Sequence, residues 1–284
     1  MQQIENSTEI QAFALESRRT GKSIALVPTM GYLHDGHLML MRKAREKADL
    51  VIVSIFVNPI QFGPNEDLDR YPQDLEGDLA KCKTLGVDVV FTPTNEDLYP
   101  DLFQTSVEVK EITKDLCGAG RPNHFQGVTT VVSKLFNLTL PNLAFFGEKD
   151  FQQLAVIRRM VIDLNFPIEI VGVEIVRERN GLAMSSRNAN LPAREREEAP
   201  SIYQALSHAK TLYQQGLKES EKLCQTVSKQ LEEKISSPFR VEYVKIYDAL
   251  KLTEIKGRIT TPTVLLIAVH LGGTRLIDNL QLEN

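Results

Sequence analysis

Short apolar runs alternate with helix-period segments along most of this chain, and that alternation limits the fold more than any other feature. Residues 23–27, 50–57, 87–91, 142–146, 168–171 and 173–176 are rich in Val, Ile, Ala and Phe and read as strands. Between them, residues 37–47, 75–85, 125–138 and 151–164 repeat apolar residues at helical spacing. Leu40, Met41, Ala44 and Ala48 mark one such face, and Leu154, Ile157, Val161 and Leu164 another. Continuous apolar strands separated by helices belong to a parallel sheet covered on both faces, so the expected class is α/β. Right-handed crossovers then bring the loops after the strands to one edge, where ligands bind. A first helix is expected with Ser7 or Thr8 as its cap, and residues 105–109 as an edge strand.

The pattern changes beyond residue 176. Residues 194–215 and 219–235 read as helices, and 241–248, 263–269 and 274–278 as strands, the last two joined at Leu271-Gly272-Gly273. The expected organisation is an N-terminal domain over residues 1–176 and a smaller α+β C-terminal domain over 177–284. Composition excludes several other classes. A net charge of −4 argues against a broad nucleic-acid-binding surface. No run of about 20 apolar residues is present, so no membrane span is expected. Residues 1–5 lack a basic-then-apolar leader pattern. Cys82, Cys117 and Cys224 are odd in number and lack metal-ligand spacing, which fits reduced thiols in the cytoplasm.

The loop Pro28-Thr29-Met30-Gly31-Tyr32-Leu33-His34-Asp35-Gly36-His37 leaves an apolar strand and enters a helix. Free N–H groups at a helix start favour anions, and two imidazoles can donate to phosphate oxygens there. Gly36 lets the backbone approach a ligand closely. A two-histidine metal site carries less weight, because Asp35 is the only nearby acid. Asn58 and Gln61, in Asn58-Pro59-Ile60-Gln61-Phe62, offer amides to the hydroxyl and carboxylate groups of a small polar substrate. In Gly147-Glu148-Lys149-Asp150, Lys149 can reach a polyphosphate, and Asp150 is expected to cap a helix or accept from a ribose hydroxyl. Met184-Ser185-Ser186-Arg187-Asn188 places two hydroxyls and a guanidinium where triphosphate oxygens can be held. Gly118-Ala119-Gly120-Arg121-Pro122-Asn123-His124-Phe125 reads as a flexible cover, with Arg121 and His124 facing an anion.

The decapeptide resembles the HxGH signature of the nucleotidyltransferase superfamily, which class I aminoacyl-tRNA synthetases share. With Asn-Pro-x-Gln-Phe, Gly-Arg-x-x-His-Phe, Phe-Gly-Glu-Lys-Asp and Met-Ser-Ser-Arg-Asn following in order, the chain resembles the pantoate–β-alanine ligase family. The resemblance implies a Rossmann-like N-terminal domain, a C-terminal domain closing over ATP, and a cytoplasmic homodimer. It implies that ATP, a substrate, activates (R)-pantoate as an adenylate with release of pyrophosphate. β-Alanine then displaces AMP. By motif match, Met30, Gly31, Tyr32, Leu33, His34, Asp35, Gly36 and His37 lie in the ATP-binding segment, with His37 the catalytic acid and His34 beside it. Gly147, Glu148, Lys149 and Asp150 match a nucleotide-binding turn, and Val176 an adenine contact. Met184, Ser185, Ser186 and Arg187 match the second signature of the synthetases. Gln61 and Gln153 match the glutamines that hold pantoate, and Gln61 also lies near the β-alanine site.

One position departs from the pattern. Relatives with adjacent aspartates after Tyr-Pro have been assigned magnesium there, whereas this chain carries Gly77-Asp78, leaving Asp78 as a weak ligand at most. Magnesium is therefore expected on ATP oxygens and water. The rival readings are another HxGH nucleotidyltransferase with a nucleotide-linked product, and a noncatalytic ATP sensor.

Overall fold

The alternation becomes a six-stranded sheet in which every pairing is parallel. A computed structural model describes residues 1–64 and 66–282. The strands are β1 (Gln2–Ile4), β2 (Ile24–Thr29), β3 (Leu50–Ile55), β4 (Val89–Phe91), β5 (Leu143–Gly147) and β6 (Glu169–Val173), in spatial order β1-β4-β3-β2-β5-β6. Between them run α1 (Ser7–Arg19), α2 (Asp35–Lys47), α3 (Leu75–Thr84), α4 (Asn95–Leu98), α5 (Cys117–Gly120), α6 (His124–Thr139) and α7 (Phe151–Asp163).

Side chains on a strand alternate between faces. On β2, Ile24 and Leu26 pack with Ile10 of α1, Phe136 of α6 and Ile157 of α7. Ala25 and Val27 pack with Leu40, Met41 and Ala44 of α2 and Cys82 of α3. Two apolar layers therefore sandwich the sheet, which is why its central strands are apolar at nearly every position. The chain lays β3 and β4 on one side of β2, then returns to lay β5 and β6 on the other. This reversal puts a topological switch point at the carboxyl ends of β2 and β5, the usual ligand position of an open α/β sheet.

Several local expectations are corrected. Residues 105–109 form no strand: Val107 N–H donates to Thr130 Oγ1 at 3.0 Å and Val107 C=O accepts from Thr129 Oγ1 at 2.6 Å, so α6 takes up the backbone groups a sheet would use. The edge strand is instead β1, paired with β4. Asn6, rather than Ser7 or Thr8, caps α1, accepting the N–H groups of Thr8 and Glu9 at 2.8 and 3.2 Å. Residues 174–176 lie beyond β6 and form no strand. The glycine-rich cover is packed at Gly118, where an added Cβ would lie 1.7 Å from the Thr113 carbonyl oxygen. That glycine serves close approach rather than movement.

The chain divides into two compact units, one of Met1–Glu148 and Gln152–Glu174, the other of Lys149–Phe151 and the residues from Ile175 onward. The division falls two positions before the expected one and transfers the turn at Lys149 to the second unit. That unit holds α8 (Ala193–Glu198), α9 (Ser201–Gln214), α10 (Ser220–Lys234) and an antiparallel sheet of β7 (Phe239–Asp248), β8 (Thr263–Leu271) and β9 (Thr274–Leu282). Ile202, Leu206, Leu223 and Val227 of α9 and α10 pack against Leu265, Ile267 and Val269 of β8. The helix expected over 194–215 is interrupted at Ala199-Pro200, because Pro200 lacks the N–H that would continue it. Among the described residues, no helix is long and apolar enough to cross a membrane.

Candidate active site

His34 ends the loop after β2 and caps α2 with extended backbone, φ −129° and ψ 174°. Its Nδ1 accepts the Gly36 N–H at 3.1 Å, and His37 Nδ1 accepts the His34 N–H at 3.3 Å. The two histidines thus form a capping box in which imidazoles replace the usual hydroxyl and carboxylate. Their ring centroids lie 4.0 Å apart. A ring nitrogen that accepts carries no hydrogen, so each neutral ring bears its hydrogen on Nε2. Capping therefore selects the tautomer, and α2 begins with two Nε2–H donors beside a helix N-terminus.

The loop before this cap is held by a residue that sequence reasoning treated only as a weak magnesium ligand. Asp78, on α3, accepts the N–H groups of Tyr32 and Leu33, each at 2.7 Å, one on each carboxylate oxygen. Its side chain is 1% exposed, and Lys81 Nζ lies 3.7 Å from it while donating to Leu33 C=O at 2.9 Å. Tyr32 sits at φ 50°, a left-handed conformation that is unfavourable by about 1–2 kcal/mol for a residue with a side chain. The carboxylate offsets that strain. Asp78 is committed to shaping the loop, and among the described residues no group of three or more His, Cys, Asp or Glu forms a metal cluster.

β3 lies beside β2, so the loops after the two strands meet. Gln61 Nε2 donates to Met30 Sδ at 3.1 Å, while its Oε1 accepts from Asn58 Nδ2 at 3.0 Å. Asn58, expected to bind substrate, is 1% exposed and engaged by protein at both ends: Nδ2 also donates to Gly127 C=O at 3.1 Å, and Oδ1 accepts from Tyr99 O–H at 2.8 Å. Gly127 permits this approach, since a Cβ there would lie 2.6 Å from Gln61 Cα.

Arg121 and His124, expected to face an anion, brace the same loop. Arg121 donates to Glu66 through Nε at 2.7 Å and Nη2 at 2.5 Å, and its Nη1 lies 2.9 Å from His124 Nε2. An arginine can only donate, so His124 Nε2 accepts, and His124 Nδ1–H donates to Gln61 C=O at 2.9 Å. Burial pushes the Glu66 carboxyl up, but the hydrogen bond and charge of Arg121 outweigh it and hold it below the ordinary range. The guanidinium is thus partnered by a carboxylate within the protein.

Adjacent glutamines on α7 have different tasks. Gln152 is buried; it donates to Ile112 C=O and Asp115 C=O at 2.9 and 2.8 Å and accepts from Cys117 N–H at 3.0 Å. Gln153 is half-buried and has no side-chain hydrogen bond among the described residues, so its amide is available. The turn after β5 carries Glu148, whose carboxyl is pushed up by burial, lowered by Arg158 and raised by Glu174, with a net rise.

A 3-10 turn, Glu148–Asp150, leads straight into α7, so Asp150 lies within helical backbone rather than flanking it as a cap. In the second unit, Lys149 Nζ is 3.8 Å from Asp150 Oδ2, and Lys149 C=O accepts from Asn279 Nδ2 at 3.0 Å. Met184 N–H donates to Val176 C=O at 2.9 Å, so the expected adenine-contact residue uses its carbonyl in a short hairpin. Ser185 caps a 3-10 turn, Ser186–Asn190, by accepting Arg187 N–H at 3.3 Å. Arg177 supports the hairpin by a paired contact to Asp278, at 2.6 and 2.9 Å, and by stacking on Tyr203 at 3.8 Å. Sequence reasoning missed Tyr99, Lys81, Glu66 and Gln152; none lies in a motif, and only their placement in the fold reveals them.

Comparisons with known proteins agree over the full chain. It matches the pantoate-beta-alanine ligase family over residues 2–281. It is 52% identical over 279 residues to the pantothenate synthetase of Geobacter sulfurreducens, covering 98% of each chain. It is 50% identical over 289 residues to that of Syntrophomonas wolfei, covering 100% of each. The crystal structure of pantothenate synthetase from Thermus thermophilus superposes with a TM-score of 0.94 at 42% identity over 100% of both chains. A pantoate-beta-alanine ligase from Francisella tularensis, complexed with beta-gamma ATP and beta-alanine, matches with a TM-score of 0.81 at 35% identity over 100% of this chain and 98% of that one.

Proposed function

The chain belongs to the pantoate–β-alanine ligase family, and from that premise we propose that the His34/His37 cap and Gln61 hold the reacting ends of ATP and (R)-pantoate. The enzyme is a ligase that condenses pantoate with β-alanine using ATP. In the first step a pantoate carboxylate oxygen attacks the α-phosphorus, the bond to the β-phosphate oxygen breaks, and pyrophosphate leaves. In the second, the β-alanine amine attacks the pantoyl carbonyl, the C–N bond forms, and AMP leaves with the acyl oxygen as the amine gives up a proton. The carboxylate is itself the nucleophile, so the protein has only to position the reactants and stabilise charge.

The observation that carries this reading is the capping box. It occupies both Nδ1 atoms and so leaves Nε2–H as the donor of each ring at the start of α2, a helix N-terminus that favours the phosphate charge that builds during attack. His37 is the donor at the scissile bond, with His34 beside it, and residues 30–37 form the ATP-binding segment. Gln61 and Gln153 hold pantoate, and the amide of Gln153, which has no side-chain hydrogen bond among the described residues, suits that task. Asn58, Arg121 and His124 support the Gln61 loop. The roles of Gly147, Glu148, Lys149, Asp150, Val176, Met184, Ser185, Ser186 and Arg187 on ATP rest on their motifs. Magnesium enters on ATP oxygens and water, the usual mode for this ion beside substrate phosphates, and no step relies on a protein-held ion.

We place the enzyme in the cytoplasm as a homodimer. None of the three cysteines forms a disulfide, which suits a reducing compartment, and the dimer rests on family resemblance. Sedimentation at micromolar concentration tests it, and a single monomer-sized species removes it.

ATP turnover with pantoate, with and without β-alanine, tests the reaction. Pantoate alone supports one turnover of pyrophosphate release, and continuous AMP formation requires the amine. A nucleotide that stays on the product sinks the reading. Gln153→Ala is expected to raise the KM for pantoate about 10-fold, the value of one hydrogen bond to a charged group, with little change for ATP. Equal changes for both substrates remove that role.

A further inference from the structure

We propose that Asn58 and Tyr99 are positioning residues that set the polarity of Gln61, so that its side chain meets pantoate through its N–H donor end. The proposal rests on the assignment of Gln61 to pantoate and adds what orients it.

A glutamine amide presents either its oxygen or its nitrogen, and the two ends differ little in shape. Here the choice is made at a distance. The Gly127 carbonyl can only accept, so the nitrogen of Asn58 must face it, at 3.1 Å. The second hydrogen of that nitrogen goes to Gln61 Oε1 at 3.0 Å. At the other end, Asn58 Oδ1 takes the Tyr99 O–H at 2.8 Å. Turning the Asn58 amide over would set its oxygen against two other oxygens in a site that is 1% exposed. With Oε1 turned toward Asn58, Gln61 presents Nε2 on the other side. Its contact there is Met30 Sδ at 3.1 Å, a weak acceptor that leaves the amide ready for a better one.

Tyr99 is suited to its place in this relay. Its ring packs against Phe56 and Phe103, at centroid distances of 6.2 and 5.1 Å. Burial pushes its phenol well above the ordinary value, so it remains an O–H donor throughout the working pH range. The chemical consequence is selectivity. A fixed donor accepts carboxylate and hydroxyl oxygens and disfavours an ammonium group, so the amine end of β-alanine is turned away from the position pantoate must fill.

The test measures KM for pantoate and for ATP, with thermal unfolding, on the full chain. Asn58→Asp replaces the donor facing Gln61 by an acceptor and drives the Gln61 amide to turn over. We expect its pantoate KM to rise about 10–100-fold, the range for a hydrogen bond to a charged group, with ATP KM unchanged. Tyr99→Phe removes one neutral hydrogen bond and should raise pantoate KM about 3–10-fold. It also keeps the proposal testable if Asn58→Asp does not fold. Gln61→Ala is the control: an unchanged pantoate KM there overturns the assignment of Gln61 itself. If Gln61→Ala raises pantoate KM while Asn58→Asp and Tyr99→Phe leave it unchanged, the relay is overturned. Equal rises for pantoate and ATP in step with a loss of thermal stability overturn it too.

Discussion

His37→Ala lowers the rate of adenylate formation about 10²–10³-fold, the usual effect of deleting one donor aimed at developing charge. The fold survives, because His37 closes only one end of the α2 capping box and Gly36 N–H keeps its partner on His34. Loss of one capping interaction weakens the helix start by about 1 kcal/mol. Single-turnover pyrophosphate release with pantoate and ATP, read beside a thermal melt, separates the two effects. A near-normal rate in a folded variant would take His37 out of the chemistry.

Asp78→Asn tests the support beneath that cap. The substitution keeps the volume and removes one acceptor, so either Tyr32 N–H or Leu33 N–H meets an amide nitrogen in a buried site. Such an unsatisfied donor destabilises by about 1–3 kcal/mol. The left-handed turn at Tyr32 then loses part of what holds it, and the residues leading into His34 shift. A displacement of about 1 Å at a positioned group can lower a rate 10²-fold, and that is the scale expected for adenylate formation here. A magnesium-ligand role predicts something different, a defect relieved by high magnesium. We expect no relief in a magnesium titration, and full rescue there would restore Asp78 as a metal ligand.

The fold class could be read from periodicity because burial leaves a strong trace. Leu50–Ile55 is apolar at nearly every position since both of its faces are covered, and α2 and α7 show their inner faces at helical spacing. Elements held by few residues left weaker traces. Gln2–Ile4 is three residues long, and its place in the sheet follows from its partner β4. Residues 105–109 carry the β-branched composition of a strand, yet Thr129 and Thr130 of α6 satisfy that backbone instead. Propensity reports what a segment can do, and the neighbour decides which bonds it makes.

The candidate site divides along the same line. The local run from Pro28 to His37 was enough to place two imidazoles at a strand-to-helix turn, because capping is a contact between residues near in sequence. The likeness of its motifs to one ligase family was likewise readable from residue order alone. What holds those motifs was not. Asp78 reaches Tyr32 across 46 positions, Tyr99 reaches Asn58 across 41, and His124 reaches Gln61 across 63. An aspartate in a string reads as a metal ligand as readily as a backbone clamp, and an asparagine as a substrate contact as readily as a brace. Their tasks follow from which buried donors and acceptors the sheet and its helices bring within about 3 Å of them, since a buried polar group must find its partner wherever the fold supplies one.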